Sequence, residues 1–115
     1  MGIEEKCRIT GVNRIEHLRA SHIKPWRECQ SYEERLDGEN GFLMTPTIDH
    51  LFDRGFISFE DRGKLIVSPV AHEASMNRMG IDVNTLPIVG NFTEGQRKYL
   101  EYHRDRVFLE SKLRR

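Results

Sequence analysis

The sequence predicts an α+β fold on three observations. A short alternating stretch near residue 20 reads as a strand. The segment after Pro46 has helical periodicity, and the segment from Phe56 has the look of a second strand pair. The chain of 115 residues is 37% hydrophobic and 31% charged, as expected of one globular domain and of neither a disordered nor a membrane chain. No apolar run approaches the roughly 20 residues that a bilayer requires. The start "MGIEEKCR" has acidic residues where a signal peptide would be basic, so a cytoplasmic location is expected. The two cysteines, Cys7 and Cys29, form no CxxC pair and read as reduced thiols.

Taken in order, "HLRASHI" (17–23) alternates Leu18, Ala20 and His22 with Arg19, Ser21 and Ile23, and Lys24 and Pro25 end the strand. "RECQSYEERLDGEN" is polar and contains Asp37-Gly38, which suits a long surface loop with room for a helical turn. "GFLMT" (41–45) is the return strand. Thr47 is the expected N-cap of "IDHLFDR", with Asp49 near the positive end of the helix dipole and Gly55 as the stop. On this helix Ile48, Leu51 and Phe52 face the core, while Asp49 and Asp53, four apart, share the adjacent face. "FISFEDRGKLIVS" reads as a hairpin turning at Glu60 to Gly63. "PVAHEASMNRM" starts another helix, and "GIDVNTLPIVGN" (80–91) is the one linker-like stretch. Thr93 and Gln96 form a capping box opening a C-terminal helix to about Ser111, with Tyr99, His103 and Val107 on one stripe.

Global charge offers little guidance, because 18 basic residues balance 18 acidic ones. The halves differ: residues 1–60 hold 8 Lys/Arg against 11 Asp/Glu, and residues 61–115 hold 10 against 7. That skew permits nucleic-acid contact, and a solvated helix face explains it equally well. The reactive groups are better ordered than the charge. His22 ends the first strand, Asn40 precedes the return strand, and Asp49, His50 and Asp53 lie on the helix. Folded as a hairpin on that helix, His22 would stand beside two carboxylates able to hold a divalent cation. Oxygen ligands suit Mg²⁺ or Mn²⁺, and an added histidine would shift the choice toward Ni²⁺, Co²⁺ or Zn²⁺. A neutral imidazole beside such a cation is suited to deprotonating water for attack on a phosphodiester. His17, His72 and His103 have no ligand-like spacing, and His103 is expected to be a packed, hydrogen-bonded side chain.

"ASHIKPW" followed by "ENGFLMTPTIDHLFDRGFISFEDRGKLIVS" resembles the HNH endonuclease family, the ββα-metal or His-Me finger, and closely its HNH_2-type bacterial branch. The resemblance covers about residues 7 to 70, and "QRKYLEYHRDRVF" is similar to the helix that often closes such domains. It implies an α+β domain made of a ββα-metal finger (about 17–55), an additional hairpin (about 56–68) and a C-terminal helix (about 93–111). It also implies a metal-dependent DNA endonuclease, possible as the catalytic module of a restriction-type system. By that resemblance His22 is the general base, Asn40 ties the hairpin loop together, and Asp49 binds the metal, with Asp53 four residues on as a second ligand. His50 is displaced by one position from the family's last motif histidine, about 100° around the helix from Asp49. Ser21 stands where many members carry a charged ligand, and the family's frequent CxxC zinc clamp is absent, which leaves core packing to hold the finger. Arg19, Lys24, Arg27 and Arg54 flank the site as phosphate contacts. The implied partners are DNA, a second copy for double-strand cleavage, and a DNA-recognition domain or subunit outside this chain. The rivals are a catalytically decayed DNA-binding module on the same fold and a non-catalytic interaction domain.

Overall fold

In the computed structural model, residues 5–110 are described. Two small antiparallel sheets flank one amphipathic helix. Strand β1 (Arg19–Ser21) pairs with β2 (Phe42–Met44), Arg19 opposite Met44 and Ser21 opposite Phe42. Helix α1 (Tyr32–Leu36) lies in the loop between them, and α2 (Pro46–Asp53) follows β2 directly. This strand–loop–strand–helix unit is the ββα arrangement. A second hairpin, β3 (Ile57–Phe59) and β4 (Leu65–Val67), comes next, then α3 (Glu73–Arg78) and α4 (Glu94–Tyr102), which continues as a π-helical turn over His103–Val107.

Helix α2 positions the site, and local chemistry fixes both its ends. It starts two residues before the expected position: Thr45, not Thr47, occupies the N-cap, with Pro46 at the first helical position. Proline suits that place because its φ is already helical and the missing N–H would be unpaired there anyway. At the other end Gly55 has φ +80°, Gly55 N donates to the Phe52 carbonyl at 3.1 Å, and Phe56 N donates to the Leu51 carbonyl at 2.9 Å. That is a Schellman stop, and it requires a residue tolerant of the left-handed region. As expected, Ile48, Leu51 and Phe52 are buried. Phe42, Phe52, Phe59 and Phe92 form the centre of the core, with neighbouring ring centroids 5.3 to 6.0 Å apart.

Elsewhere the elements are shorter than the pattern suggests. The first strand covers Arg19–Ser21 only, because Ile15–His17 form a 3-10 turn and His22 already leaves the ladder. Residues 80–91 are not a free linker. Leu65 N donates to the Pro87 carbonyl at 3.0 Å and Val89 N to the Gly63 carbonyl at 2.8 Å, which lays this stretch along β4. The Thr93/Gln96 capping box forms as expected. The last helix keeps helical bonding only to Val107, and Phe108 is extended, so it stops short of Ser111, which lies outside the described residues. The wider turn seats His103 in the core, and beyond it Leu109 N reaches the Gly55 carbonyl at 3.0 Å.

Candidate active site

The site forms where the chain leaves β1. Ile23 N donates to the Asn40 carbonyl at 3.4 Å, closing the neck of the long loop. Asn40 is fully buried, and its side chain finishes the closure. Its Oδ1 accepts from Lys24 N at 2.8 Å, while its Nδ2 donates to the Glu34 carbonyl at 3.1 Å, the Lys24 carbonyl at 3.4 Å and Cys29 Sγ at 3.5 Å. One amide thus joins three separate parts of the loop. A buried amide so fully bonded contributes order that an apolar residue could not.

His22 is half-buried beside this neck, its Nε2 2.7 Å from the Arg35 carbonyl. A carbonyl oxygen can only accept, so Nε2 carries the proton and, in the neutral ring, Nδ1 holds the free lone pair. Trp26 packs edge-on, with ring centroids 5.3 Å apart and planes at 88°. His22 shares an open cleft with Ser21, Trp26, Arg27, Asp49, Asp53 and Arg54.

The two aspartates lie one helical turn apart on α2 and face β1. Desolvation, followed by the neighbouring Asp49 charge, pushes the Asp53 carboxyl above the ordinary aspartate range. The Ser21 hydroxyl, donating to Asp53 Oδ1 at 3.2 Å, and the Arg27 charge pull it back. Ser21 is therefore placed to hold a carboxylate, a role the sequence did not suggest. Among the described residues no group of three or more His, Cys, Asp or Glu is arranged to hold a metal ion. Asp49 and Asp53 nevertheless supply two hard oxygen donors whose mutual repulsion a cation would relieve. Mg²⁺ in particular is commonly bound by one or two carboxylates, with water and substrate phosphate completing its shell. The residues present fit such an ion.

The remaining expected residues divide. Arg27 and Arg54 line the cleft. Arg19 is exposed on β1 and His50 exposed on α2, and neither lines the cleft. Lys24 is a correction: it is buried, its Nζ bonded to both oxygens of Glu34 at 3.0 and 3.1 Å and 4.7 Å from the Tyr102 ring centroid, so it is bound internally. Its role in the loop neck leaves no free ammonium for a phosphate. Two contributors escaped sequence reasoning. Glu34 carries no motif, and the Arg35 carbonyl is backbone, which no residue type announces. His103 is packed as expected: Nε2 pairs with the Phe52 carbonyl and Nδ1 with Ser58 Oγ, each at 2.8 Å, and the ring stacks on Phe52 at 3.7 Å. Burial lowers its pKa to about 4.

A strand end bearing histidine, packed against a helix bearing carboxylates and closed by a second hairpin, defines a ββα finger of the HNH type. Residues 7–60 match the HNH_2 family, described as HNH endonuclease. No curated protein matches the chain. HNH endonucleases are nucleases that generally use a divalent metal. No described helix is long and apolar enough to cross a membrane.

Proposed function

We propose that the chain is a single HNH domain and a divalent-metal-dependent DNA endonuclease, with His22 as its general base. One observation carries the reading: the His22 ring, its tautomer set by the Arg35 carbonyl, shares a cleft with Asp49 and Asp53. The Nδ1 lone pair takes a proton from water, and the resulting hydroxide attacks the phosphorus. The P–O bond to the 3′ oxygen breaks as the new P–O bond forms, the water's proton is held on the imidazolium, and the departing 3′ alkoxide takes a proton from solvent water to leave as a hydroxyl. A cation held by Asp49 and Asp53, with Mg²⁺ or Mn²⁺ matching those oxygens best, would supply positive charge to the phosphate oxygens. Asn40 and Arg35 hold the base in place, Ser21 orients Asp53, and Arg27 and Arg54 receive flanking phosphates. Neutral overall charge fits a catalytic module that relies on another domain or subunit for DNA affinity, as in a restriction-type system. One such centre cuts one strand, so two copies would serve a duplex.

The test is incubation of supercoiled plasmid with the full chain across Mg²⁺, Mn²⁺, Ni²⁺, Co²⁺ and Zn²⁺, with Asp49→Ala alongside. Nicking by wild type, at least a hundredfold above the variant, is expected with an oxygen-preferring ion. DNA that is bound but intact under every metal would instead identify a catalytically decayed binding module.

A further inference from the structure

Among the described residues, Trp26 is the one aromatic side chain lining the cleft apart from His22, and 51% of its surface is exposed. Its neighbours hold it there. The Arg35 guanidinium carbon lies 5.2 Å from the ring centroid, and His22 meets it edge-on. Arg35 Nε is buried and makes no hydrogen bond among the described residues, so this part of the guanidinium rests on the indole and not on an acceptor. Pro25 restricts the backbone immediately before it. The outcome is a large, positioned aromatic surface left open beside the proposed base, with Arg27 and Arg54 at the same cleft to receive phosphates.

We propose that Trp26 is a stacking platform for one unstacked nucleobase next to the phosphate to be cut, making single-stranded or locally opened DNA the preferred substrate. The proposal rests on the nuclease reading above and adds its substrate class. In an intact duplex each base face is covered by its neighbours, and exposing one requires unstacking and unpairing it. Single-stranded DNA offers base faces without that cost, and aromatic stacking accepts any base. The platform therefore predicts a preference for strand state and not for sequence.

Because the chain has a single tryptophan, its emission reports on this ring alone. The full chain in EDTA would be titrated with an end-labelled single-stranded oligonucleotide, the same sequence as duplex, and inorganic polyphosphate, with anisotropy of the labelled DNA followed in parallel. The single strand should quench the emission more strongly than the duplex, and polyphosphate should leave it unchanged. Trp26→Leu should weaken single-strand binding about 5- to 150-fold, the range that stacking on one base supplies, and Trp26→Phe should restore most of it. Binding without a change in emission, or equal affinity for Trp26→Leu and wild type, overturns the platform even if the protein cleaves DNA. If no oligonucleotide binds and no metal gives cleavage, the nuclease reading fails and the platform with it.

Discussion

The two hairpins have strands of equal length and each buries a whole strand in the core, β2 in one and β3 in the other, but their connections are held by different forces. In β3–β4 the turn is short, closed by Glu60 N to the Lys64 carbonyl at 2.9 Å, and Ile57, Phe59 and Leu65 are buried in the core. In β1–β2 the connection spans residues 22–41, and β1 places only Ser21 in the interior. Its loop is held by the Asn40 amide, the Lys24–Glu34 pair and contacts to α4, where the Tyr99 hydroxyl donates to Asp37 at 2.8 Å, Tyr102 to Glu28 and Thr93 to Glu39. The difference follows from the work each does. On the proposed reading, a histidine that takes a proton from water and carboxylates that hold a cation must stay in contact with solvent, so burial alone would not secure them. Polar bonds around them do so instead.

That contrast can be broken by substitution. Leu65→Ala, in the apolar hairpin, should destabilise the fold by about 2–5 kcal/mol through lost burial and a cavity, with cleavage per folded molecule unchanged. Denaturant melts beside an activity assay on the folded fraction would show it. On the same side of the molecule, His103 is neutral in the core with a pKa of about 4, below the ordinary 6.5 of the unfolded chain. Between these values the unfolded state binds more protons, so its stabilising effect is complete above about pH 6.5 and falls away toward pH 4, by about 3 kcal/mol. Urea melts across that window should slope for wild type and flatten for His103→Gln.

In the polar hairpin, Asn40→Ala leaves Lys24 N–H and the Glu34 carbonyl without their buried partner, and should cost about 1–3 kcal/mol. Here the folded molecules should also cleave more slowly, because the neck that carries His22 is loosened. Equal cleavage per folded molecule in Asn40→Ala and wild type would erase the distinction between the hairpins. The smallest effect is the most diagnostic of a cation site. Asp53 has a raised pKa, so its charge opposes folding once the pH exceeds the unfolded aspartate value. Asp53→Asn should stabilise the metal-free protein at neutral pH by a few tenths of a kcal/mol, after discounting for solvent screening, while removing cleavage. Thermal melts in EDTA with and without the substitution test the sign.

The legibility of the chain divides along the same line. Helix α2 was readable because Ile48, Leu51 and Phe52 repeat at helical spacing, and the second hairpin because Gly63 sits in its turn between apolar strands. The Thr93/Gln96 cap was readable as a pair of residue types three apart. Between Thr45 and Thr47 the pattern favoured the wrong threonine, since Pro46 fixes the helix start and a cap signal alone does not. The order of His22, Asn40, Asp49 and Asp53 was visible, yet the partners that hold them were not. A lysine in sequence is a charge, and only the folded loop brings Glu34 to Lys24. Likewise Ser21 reads in the sequence only as a departure from a charged ligand, whereas the fold brings its hydroxyl against Asp53, and a carbonyl such as that of Arg35 has no signature at all.

The central claim is that His22 takes the proton from water while polar neighbours, not burial, hold it in position. The most direct measurement is the rate of plasmid nicking by wild type and His22→Ala at equal folded concentration, with and without added imidazole. The account predicts a loss of about 10²–10⁴-fold, an unchanged melting temperature, and partial recovery by imidazole. Nicking by His22→Ala at the wild-type rate, with the same metal dependence, would contradict it.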